Sequence, residues 1–269
     1  ADPSATTIYG TDGDDVISGT SSDDVIHGMA GYDNITGSAG NDTIIGGENS
    51  DTLNGGEGDD TFLISGINEG INSISGGPGF DVILGSNNND DIGLSSFVDA
   101  EIERIDGQGG INRILGNGQN RTWDFTNVEL INIESINGMA GYDNITGSAG
   151  NDTIIGGENS DTLNGGAGDD TFLISGTNEG INSISGGPGF DVILGSNNDD
   201  DIGLSSFENA EIERIDGQAG INRIIGNNLD RTWDFTNVEL INIESINGMA
   251  GYDNITGSAG NDVLIGGTN

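Results

Sequence analysis

A chain of 269 residues with 45 acidic and six basic side chains carries a formal net charge of -39, so it lacks the positive charge with which proteins bind nucleic acids or anionic membranes. Only 32% of the residues are hydrophobic, and no apolar run is long enough to cross a bilayer, which excludes a thick core and a transmembrane helix. Cysteine is absent, which excludes disulfides, thiolate metal ligands and cysteine nucleophiles.

The chain is built from long repeats. Residues 1–9 are interpreted as an N-terminal tail or a cloning remnant, and residues 10–27 as entry units of the repeat pattern. Residues 28–137 recur with ten differences as residues 138–247, and residues 248–269 begin a third copy. We therefore expect one continuous solenoid with a period of 110 residues, taken from a longer array.

A nine-residue pattern runs inside each copy and is clearest from Gly28 to Thr36. Each unit starts with glycine, usually has more glycine at its second or fourth place, and carries aspartate at its sixth place and an apolar residue at its eighth. Glycines at the first, second and fourth places predict a tight turn with positive φ, followed by a short strand. The sixth-place aspartates are Asp15, Asp24, Asp33, Asp42, Asp51, Asp60, Asp81, Asp90, Asp143, Asp152, Asp161, Asp170, Asp191, Asp200, Asp253 and Asp262.

Such units cannot bury their apolar side chain alone, so we expect two units to form one coil and the coils to stack. Stacking at about 4.8 Å places Asp33 beside Asp51 and Asp42 beside Asp60. At about 5 Å each such carboxylate pair repels by roughly 1 kcal/mol in water. The apolar residues form an expected column of Ile17, Ile26, Ile35, Ile44, Leu53 and Phe62.

A hard divalent cation would remove this repulsion. Calcium accepts carboxylate and carbonyl oxygens in flexible geometry, whereas magnesium demands a near-ideal octahedron and zinc favours His or Cys ligands. We therefore predict multiple bound Ca²⁺ ions. Acidic, glycine-rich composition also fits a disordered chain, but the regular apolar spacing favours the solenoid and leaves disorder for the metal-free state.

The sixteen units, of which the first two begin at Gly10 and Gly19, resemble the G-G-x-G-x-D-x-U-x nonapeptide of the RTX (repeats-in-toxin) family, over roughly two thirds of the chain. The resemblance implies an all-β fold, a right-handed parallel β-roll or β-helix solenoid with calcium ions in the glycine-rich turns. It further implies that paired Asp side chains and turn carbonyls of adjacent coils hold each ion. A large secreted RTX adhesin or surface-layer-like protein is the implied source.

Four segments of each copy depart from the pattern. Asn72, Asn112 and Arg121 stand there where aspartate is expected, so these turns should bind calcium badly or not at all. Residues 100–106 and 131–137 resemble each other and predict metal-free coils with a longer strand. In copy one the segments are 64–75, 94–106, 107–124 and 125–137.

All six arginines lie in these segments or their copies, where we expect them to neutralise Glu101, Glu103, Asp106 and neighbouring acids without metal. Arg121 with Trp123, and Arg231 with Trp233, are candidate ligand contacts for a carbohydrate or a carboxylate, although both tryptophans occupy apolar places that favour core filling. His27 is unrepeated and expected to be an exposed strand residue.

Equivalent aspartates offer no inequivalent acid and base pair, so we predict no catalytic residue and no enzyme activity. The first hypothesis is a secreted stalk or surface-array segment, exported by a type I-like route and folded by calcium outside the cell. Its partners would be calcium and components of a cell surface or matrix, without nucleic acid or membrane insertion. The alternatives are a calcium-folded accessory module of an exported enzyme or toxin, and a carbohydrate-binding module.

Overall fold

The computed structural model describes residues 6–64, 69–174 and 179–267, and the predicted irregular segments at 64–75 and 174–185 lie partly outside these ranges. Within them the chain is an all-β parallel solenoid without a helix. No helix there is long and apolar enough to cross a bilayer. The first strands are β1 Thr6–Tyr9, β2 Val16–Ser18, β3 Asp24–Ala30, β4 Asn34–Ala39, β5 Thr43–Glu48, β6 Thr52–Glu57, β7 Thr61–Leu63, β8 Ser73–Ser75, β9 Val82–Leu84 and β10 Asp91–Gly93.

The remaining strands follow the same order along the rest of the chain. They are β11 Arg104–Asp106, β12 Arg113–Leu115, β13 Thr122–Asp124, β14 Glu129–Ile131, β15 Ser135–Asn137, β16 Asn144–Thr146, β17 Thr153–Ile155, β18 Thr162–Asn164, β19 Thr171–Leu173 and β20 Ser183–Ser185. The last are β21 Val192–Leu194, β22 Asp201–Gly203, β23 Arg214–Asp216, β24 Arg223–Ile225, β25 Thr232–Asp234, β26 Glu239–Ile241, β27 Ser245–Asn247, β28 Asn254–Thr256 and β29 Leu264–Ile265.

The chain divides into two compact units, one of residues 1–116 and 123–136, the other of residues 117–122 and 137–269. In the first unit one sheet runs β1-β3-β5-β7-β9-β11-β14 and another runs β2-β4-β6-β8. In the second unit parallel strands pair in the orders β17-β19-β21-β23-β26, β16-β18-β20 and β22-β24-β27-β29. Alternate strands join different sheets, as expected when one coil contains two strands.

The register confirms that two nine-residue units make one coil. Ile17 pairs with Ile35, and Ile26 pairs with Ile44, each eighteen positions later. Since Ile17 and Ile26 belong to different sheets, the expected single apolar column is wrong. The eighth-place residues form two columns, and Ile26, Ile35 and Ile44 are fully buried.

The irregular segments keep the coil but lengthen it. Phe62 pairs with Ile83 after 21 residues, Ile83 with Ile105 after 22, and Ile105 with Leu130 after 25. The prediction of longer strands in these segments is wrong, because β11, β12 and β15 have three residues each. The longest strands, β3 to β6, lie in regular units instead, where pairing continues into the turn.

Candidate metal centres

The sixth-place aspartates form ladders along the coils. The backbone amide of Asp42 donates to Oδ1 of Asp60 over 2.7 Å, and the amide of Asp60 donates to Oδ1 of Asp81 over 2.8 Å. The amide of Asp33 donates in the same way to Asp51. The predicted neighbours are therefore adjacent, and each is linked to the next through one carboxylate oxygen. The ladder aspartates buried in the structure are Asp24, Asp33, Asp42, Asp51, Asp60, Asp81, Asp90, Asp143, Asp152, Asp161, Asp170, Asp191 and Asp200.

The second carboxylate oxygen of most ladder aspartates has no hydrogen-bond partner. All sixteen aspartates lie within the described ranges, and ten have a buried, unpartnered Oδ2. A buried acceptor without a partner costs free energy unless a donor or a cation satisfies it. These ten are Asp33, Asp42, Asp51, Asp60, Asp81, Asp143, Asp161, Asp170, Asp191 and Asp253.

Each unpartnered Oδ2 lies in a space kept free by the first-place glycine. A methyl group on Gly55 would overlap Oδ2 of Asp60 and would lie 2.7 Å from the carbonyl oxygen of Gly76 in the next coil. The prediction that the first-place glycine supplies positive φ is wrong, because Gly28 and Gly55 have ordinary φ values. Glycine is required there because a side chain would fill the space in which carboxylate and carbonyl oxygens converge.

Asn112 fills the corresponding space with its own side chain. Its Oδ1 accepts the amide of Asp90 at 3.0 Å, like a ladder aspartate. Its Nδ2 points toward Gly107 and donates to the carbonyl oxygens of Gly109 at 3.2 Å and Asn132 at 3.0 Å. In an aspartate, Oδ2 would lie at the position of this nitrogen and could only accept. The two N–H groups of Asn112 Nδ2 instead donate hydrogen bonds from that position.

Burial raises the pKa of Asp60 to about 6, and the negative charges of Asp42 and Asp81 raise it further. A hydrogen bond from the Asp42 amide lowers the pKa but does not cancel these effects. Burial, together with the charges of Asp143 and Glu179, raises the pKa of Asp161 to about 7. A nearby cation would favour the charged form of such carboxylates. These groups are therefore held in a position that is unfavourable for their own charge.

The oxygen-rich surroundings fit calcium. The spaces beside Gly28, Gly55 and Gly165 each offer a carboxylate oxygen and a carbonyl oxygen, which are ligands that calcium accepts. No group of three or more His, Cys, Asp or Glu side chains capable of holding a metal occurs in the described ranges. Oδ1 of an aspartate such as Asp60 accepts an amide of a neighbouring coil, so Oδ2 is the oxygen that it would present to an ion, together with backbone carbonyls.

Two features of the ladders escaped the sequence analysis. Glu103 Oε2 accepts the amide of Asp81 at 2.7 Å, and Glu134 Oε2 accepts the amide of Asn112. Each glutamate precedes the buried central isoleucine of its strand by two positions, which is the spacing of aspartate in a regular unit and could have indicated this role. The structure also has a second column of side chains, which is exposed. In it, Oδ1 of Asn41 accepts a hydrogen bond from the backbone amide of Asp59 at 3.0 Å.

Four arginines pair with neighbouring acids, as expected, although not with Glu101, Glu103 or Asp106. Arg104 pairs with Glu129 at 2.7 Å and Arg113 with Asp91 at 2.7 Å, and Arg214 and Arg223 repeat these pairs in copy two. The backbone amides of Arg121 and Arg231 cap ladders by donating to Asp143 and Asp253. His27 is half-buried and stacks on Tyr9 at 4.8 Å.

The tryptophans do not face solvent, so the suggestion that Trp123 and Trp233 contact a ligand is corrected. Trp123 is 1% exposed, and its indole nitrogen donates to the carbonyl oxygen of Ser95 at 2.6 Å. Its ring packs 6.2 Å from that of Phe125. Trp233 is equally enclosed and donates to Ser205 at 3.2 Å. Core filling, the other expectation, is what the structure shows.

Comparison with known proteins adds one finding. The family model described as RTX calcium-binding nonapeptide repeat (4 copies) matches residues 2–35, 33–62, 67–99, 137–172, 176–206 and 242–269, which is more than half of the chain. No curated protein matches it. The two long unmatched stretches, 100–136 and 207–241, coincide with the irregular coils that contain the arginines and tryptophans.

Proposed function

Because the chain belongs to the family of RTX calcium-binding nonapeptide repeats, we propose that it is a structural or adhesive segment of a secreted protein, which folds when it binds calcium outside the cell. It acts as a scaffold and not as an enzyme. Its ladder positions repeat a few similar environments many times, which gives no single acid and base pair for catalysis.

The observation that carries this proposal is the buried, unpartnered Oδ2 of aspartates such as Asp60 and Asp161. A buried carboxylate without a compensating charge is strongly unfavourable. With a net charge of -39, repulsion along the whole chain adds to this cost. Bound calcium would offset both effects, so calcium binding and folding are coupled.

Burial of these oxygens also bears on when calcium enters. Since Oδ2 is covered in the folded chain, the ion is taken up while the turn closes around it. Secretion into a calcium-rich medium would then convert an extended, exportable chain into the solenoid. Tandem copies of one coil pattern suit a spacer or surface array, which needs length and stiffness more than a unique site.

The test is circular dichroism of the chelator-treated protein during a calcium titration, with magnesium as the matched comparison. We expect the β-signal to develop steeply with calcium, and protease resistance to develop with it. Magnesium at the same concentrations should do little. A β-signal that persists unchanged in excess chelator would show that calcium does not drive folding.

A further inference from the structure

The ladder aspartates lie in two kinds of turn. In an open turn, the residue at the second place has positive φ, as in Met29 with 85° and Ser38 with 95°. In a closed turn, the second residue is Ser or Thr without positive φ, and its amide, its hydroxyl or both donate to the aspartate of the same unit. The closed turns contain Asp15, Asp24, Asp90, Asp152, Asp200 and Asp262.

In closed turns, the carboxylate of the aspartate accepts hydrogen bonds from the Ser or Thr of its own unit. Ser148 donates its amide over 2.6 Å and its hydroxyl over 2.9 Å to Oδ2 of Asp152. Ser86 donates its amide to Oδ2 and its hydroxyl to Oδ1 of Asp90, at 2.6 and 3.0 Å. These donors supply what a cation would supply in an open turn.

The division between the two kinds is complete. Every one of the ten aspartates with a buried, unpartnered Oδ2 follows a second-place residue with positive φ, and none of the six aspartates in closed turns does. Burial raises the pKa of Asp24. Hydrogen bonds from Thr20 and Thr6 outweigh this effect, so the pKa of Asp24 lies below its usual value.

We propose that only the open turns hold calcium, that the six closed turns are capped by their own Ser or Thr instead, and that the φ of the second-place residue distinguishes the two kinds. Glycine adopts positive φ without steric cost, so it favours the open turn. Serine and threonine favour the closed turn, because they bring a hydroxyl donor and reach positive φ only with strain. This inference rests on the proposed calcium binding and deepens it by assigning the sites.

One hexapeptide occurs in both kinds of turn. Gly-Ser-Ala-Gly-Asn-Asp is open at residues 37–42, where Oδ2 of Asp42 has no partner, and closed at residues 147–152. The same sequence at 257–262 also has a serine hydroxyl bond to its aspartate. The serine-containing turns can therefore adopt either state, whereas turns with glycine in second place, as at Asp60 and Asp161, are all open.

The first experiment compares Asp60→Asn with Asp90→Asn by equilibrium dialysis against calcium. Asp60 and Asp90 are equally buried, but Asp60 lies in an open turn and Asp90 in a closed one. Asparagine is tolerated at this position, as Asn112 shows, and circular dichroism in calcium checks that both variants fold. We expect Asp60→Asn to lose about one bound calcium ion per chain and Asp90→Asn to lose none.

The second experiment converts a closed turn. Ser86→Gly removes the hydroxyl and permits positive φ, so we expect a gain of about one calcium ion per chain. Ser86→Ala removes the hydroxyl but keeps the amide cap and the preference against positive φ, so it should gain none. Equal losses for the two aspartate variants, or equal counts for the two serine variants, would overturn the assignment. A wild-type chain that binds no calcium would instead refute the proposed function itself.

Discussion

The backbone amide of Asp42 donates a 2.7 Å hydrogen bond to Oδ1 of Asp60, and this bond directs the other carboxylate oxygen of Asp60 into the enclosed space beside Gly55. One bond thus both links two coils and creates a buried oxygen that needs a cation. The same relation recurs between Asp143 and Asp161 in the second copy. The predictions below address the groups that surround this oxygen.

Gly55→Ala should destabilise the calcium-bound protein by about 1–3 kcal/mol, because the new methyl group would overlap Oδ2 of Asp60 and crowd the Gly76 carbonyl. Thermal unfolding in saturating calcium measures the loss. Gly118→Ala is the matched control, since a methyl group there meets nothing within 4 Å. Similar midpoints for the two variants would contradict the tight space at Gly55.

Asn112→Asp should destabilise the calcium-free protein by about 1–3 kcal/mol, because it removes the Nδ2 donor to Gly109 and Asn132 and leaves their oxygens facing a carboxylate. The variant should therefore need a higher calcium concentration to fold, and saturating calcium should restore most of the loss. Circular dichroism during a calcium titration measures the shift.

Asn89→Asp is the control for that variant. Asn89 accepts the amide of Ile111 at 3.0 Å, and Asp199 accepts the amide of Ile221 at 2.9 Å at the same place in copy two, so the exchange should be nearly neutral. The role given to Asn112 as a substitute for a cation would fail if Asn112→Asp folded at the same calcium concentration as Asn89→Asp.

The calcium-free protein should become more stable as the pH falls. Burial raises the pKa of Asp51, Asp60, Asp81 and Asp170 to about 6 and of Asp161 to about 7, from the ordinary value of 3.8. The folded chain therefore binds more protons than the unfolded chain between about pH 4 and pH 7. The stabilisation is fully present below about pH 4 and is lost as the pH rises through the folded pKa values.

Circular dichroism in chelator at about pH 5.5 and pH 7.5 checks this sign, and we expect the larger β-signal at the lower pH. In saturating calcium the trend should shrink or reverse, because the ion requires the charged carboxylates and protons compete with it. A calcium-free protein that is more stable at the higher pH would contradict the buried, uncompensated state of these aspartates.

Trp123→Ala should destabilise the calcium-bound protein by about 3–5 kcal/mol, because it empties a buried site beside Phe125. Trp123→Phe should cost less, since it removes mainly the hydrogen bond to Ser95. Tyr32→Ala, at an exposed aromatic, should stay within about 0.5 kcal/mol. Glycan binding that disappears in Trp123→Phe without a loss of stability would instead favour a carbohydrate-binding module.

The regular coils could be predicted well from the sequence because their determinants are local. A nine-residue period with apolar residues such as Ile26 at the eighth place predicts two short strands per coil, and the register of eighteen residues confirms it. The same period predicts that Asp42 and Asp60 are neighbours. The irregular coils were predicted less well, because Glu103 and Glu134 enter the ladders from coils of 22 residues, where no fixed period indicates the partner.

The sequence alone determined the family resemblance, the coil length and the positions of the ladder aspartates, since each depends on spacing along the chain. Only the tertiary structure decided which of those aspartates keeps an unpartnered oxygen. Residues 37–42 and 147–152 are identical, yet Ser38 continues strand β4 and pairs with Gly56, whereas Ser148 lies outside any strand and turns its amide to Asp152. The physical reason is that the state of a turn depends on partners in the neighbouring coil, about eighteen residues away, which the hexapeptide itself does not contain.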